Sequence, residues 1–131
     1  MSSIFTKIIL GEIPSIKVHE DERSLAIMDI NPIQPGQILV IPKREIGTIW
    51  DLDQDDYSAL MATVQAAGRS LKRVFPDKSR VGMMVEGLEI TDHAHVKVFP
   101  FSTLEEFHAM PETQTKPTNE ELMVLADKLR F

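Results

Sequence analysis

Apolar residues recur along the chain at two different spacings, and the switches between them lay out the elements. Ile4, Phe5, Ile8 and Ile9 fall at helical spacing behind Ser2 and Ser3, either of which can cap a first turn. That predicts a short N-terminal helix ending near Gly11, with Pro14 marking the break. Two strands are predicted next, Ile16 to His19 and Ser24 to Ile30, separated by the polar turn Glu20-Asp21-Glu22-Arg23. The segment Asn31-Pro32-Ile33-Gln34-Pro35-Gly36 is dense in turn residues. Gln37 to Ile41 is almost continuously apolar, as in a strand buried on both faces, and Pro42 closes it.

The period changes at Asp53. Leu60, Val64, Ala67, Leu71 and Val74 step by four and three, which makes one stripe along a helix running to Phe75. Asp53 can cap it, Asp55 and Asp56 sit in its first turn and Lys72 and Arg73 in its last, all matching the helix dipole. Pro76 stops it, and the stripe reads as core. Arg80 to Val85 and His93 to Phe101 are the fourth and fifth predicted strands. The loop between them runs from Glu86 to Asp92, and Gly87 permits a backbone turn with positive φ. Beyond Phe101 the chain turns polar and carries Pro111 and Pro117. Thr118-Asn119-Glu120-Glu121 is a capping box, so a C-terminal helix is predicted over 118–129. Mixed element order with short turns between strands predicts an α+β fold with an antiparallel five-stranded sheet.

Composition narrows the function classes. With 131 residues the chain is read as one domain, 1–131. A net charge of −6 gives no basic field for a nucleic acid polymer, while leaving room for a nucleotide held at a local positive site. The absence of cysteine removes disulfides and thiolate metal sites and permits a reducing compartment. Met1 to Leu10 lacks the long apolar core of a signal peptide, and the longest aliphatic run, Ile38 to Ile41, is too short to cross a bilayer. The expectation is a cytoplasmic protein with no membrane partner.

The candidate chemistry lies in Thr91-Asp92-His93-Ala94-His95-Val96-Lys97-Val98-Phe99-Pro100. Polar and apolar residues alternate there, so on a strand His93, His95 and Lys97 would share one face, with Ala94, Val96 and Val98 on the other. Three readings compete. A metal site would need a third and fourth ligand, yet the only other histidines are His19 and His108, and Lys97 would repel a cation. A solvated strand face is the plain alternative, and a lone pair of histidines would favour it. A phosphate-transfer site uses imidazole as nucleophile and ammonium as fixed charge. The cation two residues on, together with the flanking segments, favours this third reading.

Those flanking segments carry a resemblance. The strand is similar to the signature of the histidine triad (HIT) nucleotide hydrolases and transferases, with Lys97 in place of the third histidine. Ile4 to Ile9, Gly11 to Pro14, Glu20-Asp21, Leu25-Ala26, Asp29 to Pro32, Pro35-Gly36 and Leu39 to Lys43 fall in the order usual for small bacterial members. The likeness covers residues 3–101 and leaves 102–131 as a C-terminal extension.

It implies a HIT-like fold, a homodimer, and a cleft for a purine nucleotide or nucleotide conjugate. His95 would be the nucleophile that attacks the α-phosphorus and forms a nucleotidyl-histidine, later hydrolysed by water. His93 would orient it, and Lys97 would neutralise phosphate charge. Asp29 would hold the ribose hydroxyls, and Ile4, Phe5, Ile8, Ile27 and Ile30 would wall the base, although on spacing alone those five read as ordinary core. The expected reaction cleaves a phosphoramidate or phosphoanhydride bond without a cofactor. The alternative is a catalytically weak or inactive nucleotide-binding homodimer that serves as sensor or interaction partner.

Several positions depart from the family pattern. Lysine, with an ordinary pKa of about 10.4, is a poorer proton donor than histidine and would keep binding while slowing turnover. Val85 stands where an asparagine is usual, and Leu88-Glu89-Ile90 replaces a phosphate-cradling run in a shortened loop. The zinc ligands of some members are also missing. Ser3 and Thr6 replace a cysteine pair and Glu45 a histidine, so no structural zinc is expected.

Overall fold

The computed structural model describes residues 2–111 and 116–131; Met1 and residues 112–115, part of the expected C-terminal extension, lie outside them. Five strands form one antiparallel sheet in the order β1-β2-β3-β5-β4. They are β1 Lys17–Glu20, β2 Ser24–Met28, β3 Ile38–Pro42, β4 Arg80–Met84 and β5 Val96–Phe101. The helices are α1 Ile4–Ile9, α2 Gln54–Val74, α3 Leu104–Phe107 and α4 Asn119–Leu129. The α+β prediction holds.

The predicted caps account for the helix starts. The Asp53 carboxylate accepts the Asp56 backbone N–H, and Thr118 and Glu121 form the reciprocal capping box. The helix α3 was not anticipated, since four residues offer too little periodicity to read. Thr103 caps it, and its Phe107 packs against Phe99 and Phe101 with ring centroids 5.4 and 5.1 Å away.

Strand alternation divides the sheet into two faces. Ala26, Met28, Ile38, Val40, Val96 and Val98 face α2 and α4, against Leu60, Val64, Ala67, Leu71, Leu122 and Ala126. On the other face, Leu25, Ile27, Leu39 and Ile41 receive Phe5 and Ile8 of α1. β3 is therefore buried on both faces, as its unbroken apolar run requires. No described helix is long and apolar enough to cross a membrane.

The fifth strand departs from expectation. It begins at Val96, three residues after His93, and the last pair that β3 makes with it is Val40 to Val96. The ladder stops because the Pro42 carbonyl is taken by the His93 imidazole, and the Ala94 N–H donates to Ile46 at 2.7 Å instead. Residues 91–95 thus run as a loop alongside 42–47. The two backbones approach so closely that a Cβ on Gly47 would lie 2.7 Å from the Thr91 carbonyl oxygen, which explains a glycine there.

Candidate active site

The histidine-bearing loop is held first by its neighbours. Lys43 pairs with Glu20 of β1, and Arg44 donates to Asp56 in the first turn of α2. Those two contacts anchor the backbone just before Glu45, whose carboxylate turns to α1. One Glu45 oxygen, Oε1, accepts the Ser3 N–H at 2.6 Å and the Thr6 hydroxyl at 2.7 Å. These donations hold the Glu45 carboxyl below its usual range, the Ser3 N–H most of all. Ser3 is also the N-cap of α1, its hydroxyl oxygen accepting the Thr6 N–H at 2.9 Å.

His93 completes this cluster. Its ring is fully buried, with Nε2 2.7 Å from the Pro42 carbonyl oxygen and Nδ1 2.7 Å from the Ser3 hydroxyl. A carbonyl can only accept, so Nε2 carries the proton, and Nδ1 accepts from Ser3. Burial pushes its pKa below the ordinary imidazole value, more than the Pro42 carbonyl and the nearby Glu45 charge restore. His93 is therefore a neutral ring with both nitrogens occupied.

Two hydroxyls, one carboxylate and one imidazole are spent on each other here, with no thiolate among them. That donor set does not fit the zinc of some family members. Among the described residues no group of three or more histidine, cysteine, aspartate or glutamate side chains is placed to hold a metal.

His95 is oriented by the main chain of His93. Its Nδ1–H donates to the His93 carbonyl oxygen at 3.1 Å, which leaves Nε2 with the lone pair and with no partner among the described residues. Phe5 packs against both rings, its centroid 5.8 Å from His93 and 5.0 Å from His95. Both imidazoles lie on the α1 side of the sheet; alternation predicted that they share a face, although a loop rather than a strand carries them.

Lys97 lies inside β5, opposite Leu39 on β3 and Met84 on β4, and so shares the α1 face. Its side chain is 15% exposed, and Nζ lies 3.7 Å from Glu86 Oε1.

The apolar wall residues separate into two groups. Phe5, Ile8 and Ile27 cluster with Leu39 on this face, and Ile90 packs against them. Ile4 and Ile30 stand outside that cluster, 47% and 62% exposed. Asp29 follows β2 directly, and its carboxylate accepts the Gln37 amide at 2.6 Å and the Asn31 N–H at 2.8 Å. It borders a cleft of about 460 Å³ together with Gln37, Met110 and Leu125, and neither histidine lines that cleft. The structure thus gathers His93, His95, Lys97, Phe5, Ile8 and Ile27 on one face and sets Asp29 on a separate cleft that neither histidine lines.

Some contributors were invisible to sequence patterns. Ile90 and Leu39 join the wall only because a loop and a strand converge. Glu86 reaches Lys97 through the β4–β5 register, a pairing that no local spacing announces. The Ser3-x-x-Thr6 spacing does carry a local signal, that of a helix cap.

A family model described as the HIT domain matches residues 10–104, well over half of the chain. Among relatives, an uncharacterized HIT-like protein of Methanocaldococcus jannaschii is 35% identical over 100 residues, spanning 74% of this chain and 77% of that one. The adenosine 5′-monophosphoramidase of Schizosaccharomyces pombe is 32% identical over 104 residues, 76% of this chain and 74% of that protein. The crystal structure of a HIT-like protein involved in cell-cycle regulation from Bartonella henselae matches with a TM-score of 0.85 at 28% identity. That match covers 98% of this chain and 94% of the other. By sequence and by overall fold, the chain belongs to the histidine triad (HIT) family.

Proposed function

We propose that this protein hydrolyses a phosphoramidate or phosphoanhydride bond of a purine nucleotide conjugate through a nucleotidyl-His95 intermediate. HIT-family proteins bind nucleotides. The observation that carries the finer reading is the tautomer of His95. With Nδ1–H committed to the His93 carbonyl, the Nε2 lone pair is the one available for attack. In the proposed reaction Nε2 bonds to the α-phosphorus, and the bond from phosphorus to the leaving group breaks, its electron pair departing with that group. Water supplies the proton that the leaving amine or phosphate requires. A second water then attacks phosphorus, releasing the mononucleotide and restoring His95. Lys97 faces the charge that builds on the phosphoryl oxygens. The phosphoramidase relative in Schizosaccharomyces pombe supports an adenosine phosphoramidate as the first substrate to try. The site would work in a cytoplasmic homodimer; β4, an edge strand with Met83 exposed, supports the pairing of two copies.

A second reading is a nucleotide binder with little turnover, and Lys97 favours it. An ammonium does not give up its proton as readily as an imidazolium near neutral pH.

The deciding experiment is a burst assay with an adenosine phosphoramidate carrying a fluorescent leaving group. The expected result is a burst in the wild type and none in His95→Ala, whose circular dichroism is unchanged. Faster steady-state release in Lys97→His would mark the lysine as a brake. AMP binding with no release in the wild type would transfer the proposal to the non-catalytic binder.

A further inference from the structure

The carboxylate of Glu86 is incompletely satisfied. Its Oε2 accepts the Leu88 N–H at 3.0 Å, but its Oε1 is buried and has no hydrogen-bond partner among the described residues. A buried carboxylate oxygen without a donor is costly, and such an atom calls for a physical explanation. The nearest positive charge is Lys97 Nζ, 3.7 Å away and outside hydrogen-bond reach.

The sheet register explains why the two meet. Met84 is directly opposite Lys97. Two residues further along and beyond the end of β4, Glu86 returns to the same α1 face, where it meets Lys97. Gly87, with φ +66°, then turns the chain so that Leu88 can donate back to Glu86. The loop geometry therefore fixes the carboxylate next to the one ammonium on β5.

From this we infer that Glu86 is a resident counter-ion for Lys97, which an incoming phosphoryl group must displace. The inference rests on the proposed nucleotide site and adds a specificity-determining residue to it. A phosphate brings more negative charge and more acceptor oxygens than one carboxylate, so it wins the ammonium, but only after the existing pair is broken. Glu86 thereby sets how strongly the site discriminates for a charged phosphate over the nucleoside that carries it. Neutralising Glu86 frees the ammonium for phosphate, and this gain requires Lys97.

The test is a double-substitution cycle read by isothermal titration with AMP and, separately, with adenosine. Glu86→Gln keeps the side-chain shape and the Leu88 contact while removing the charge. The expected result is AMP bound about fivefold more tightly than by wild type, roughly the size of one partly screened ion pair. Adenosine binding should be unchanged. In a Lys97→Met background, Glu86→Gln should alter AMP affinity less than twofold. Unchanged AMP affinity in Glu86→Gln would overturn the inference while leaving the nucleotide site in place. So would an equal gain in the Lys97→Met background, since that would be bulk charge rather than a specific pair. Failure of wild type and Glu86→Gln alike to bind AMP or adenosine would overturn both the inference and the site on which it rests.

Discussion

The two flanks of His95 are built on opposite principles. Toward the N-terminus, His93, Ser3, Thr6 and Glu45 satisfy one another, each ring nitrogen of His93 is bonded, and His93 and Ser3 are buried. Toward the C-terminus, Lys97 and Glu86 face each other across 3.7 Å, and one carboxylate oxygen has no donor among the described residues. The first flank is fully paired, and the second is left incomplete. Complete pairing on one side and spare polar capacity on the other suit the proposed placing of His95 beside an anion site.

Substitutions should expose that asymmetry in stability. His93→Ala removes a fully buried ring and strands the Pro42 carbonyl and the Ser3 hydroxyl, so unfolding free energy should fall by about 3 kcal/mol. Ser3→Ala deletes a helix cap and a hydrogen bond to His93 and should cost about 1–2 kcal/mol. On the opposite flank, Glu86→Gln should move stability by no more than about 0.5 kcal/mol in either direction. Urea denaturation of the three variants against wild type checks the order. A Glu86→Gln loss as large as that of Ser3→Ala would erase the distinction between the flanks.

Acid sharpens the same contrast. The folded state holds the His93 pKa below its ordinary value, chiefly through burial, so the unfolded chain takes up the proton first. The stability from neutral His93 is complete above the ordinary imidazole value of about 6.5. It is lost as pH falls from there toward the folded-state value. Glu45, whose pKa is also lowered, adds a second loss at more acid pH, as its carboxylate becomes protonated. Thermal melts across this range should show wild type losing stability below about pH 6.5, and Ser3→Ala, with its looser His93 contact, losing less.

Much of the scaffold was legible because it rests on local rules. The Leu60-to-Leu71 stripe, the Asp53 and Thr118 caps and the doubly apolar β3 each state their element within a few residues. The site was legible as a set of residue types and less so as a geometry. Period-two alternation placed His93 and His95 on a shared face, but it also extended β5 through both of them. The ladder in fact ends at Val96, because a side chain, His93, replaces a backbone donor at Pro42. Competition of that kind depends on residues 51 positions apart, which no window along the chain contains. The Ser3–Glu45 contact spans 42 positions and is equally remote. Only the family likeness had placed Ser3, Thr6 and Glu45 in one set, and the structure shows them joined through hydrogen bonds.

The close passage of Gly47 against Thr91 has a consequence for local opening. Residues 91–95 are held to 42–47 by one backbone hydrogen bond, one imidazole and this tight contact, with no strand ladder between them. Such a segment has its own opening free energy, smaller than that of the sheet behind it, so amide exchange at Ala94 should proceed while Val98 stays protected. His95 is mounted on a strip that can open locally without the sheet coming apart.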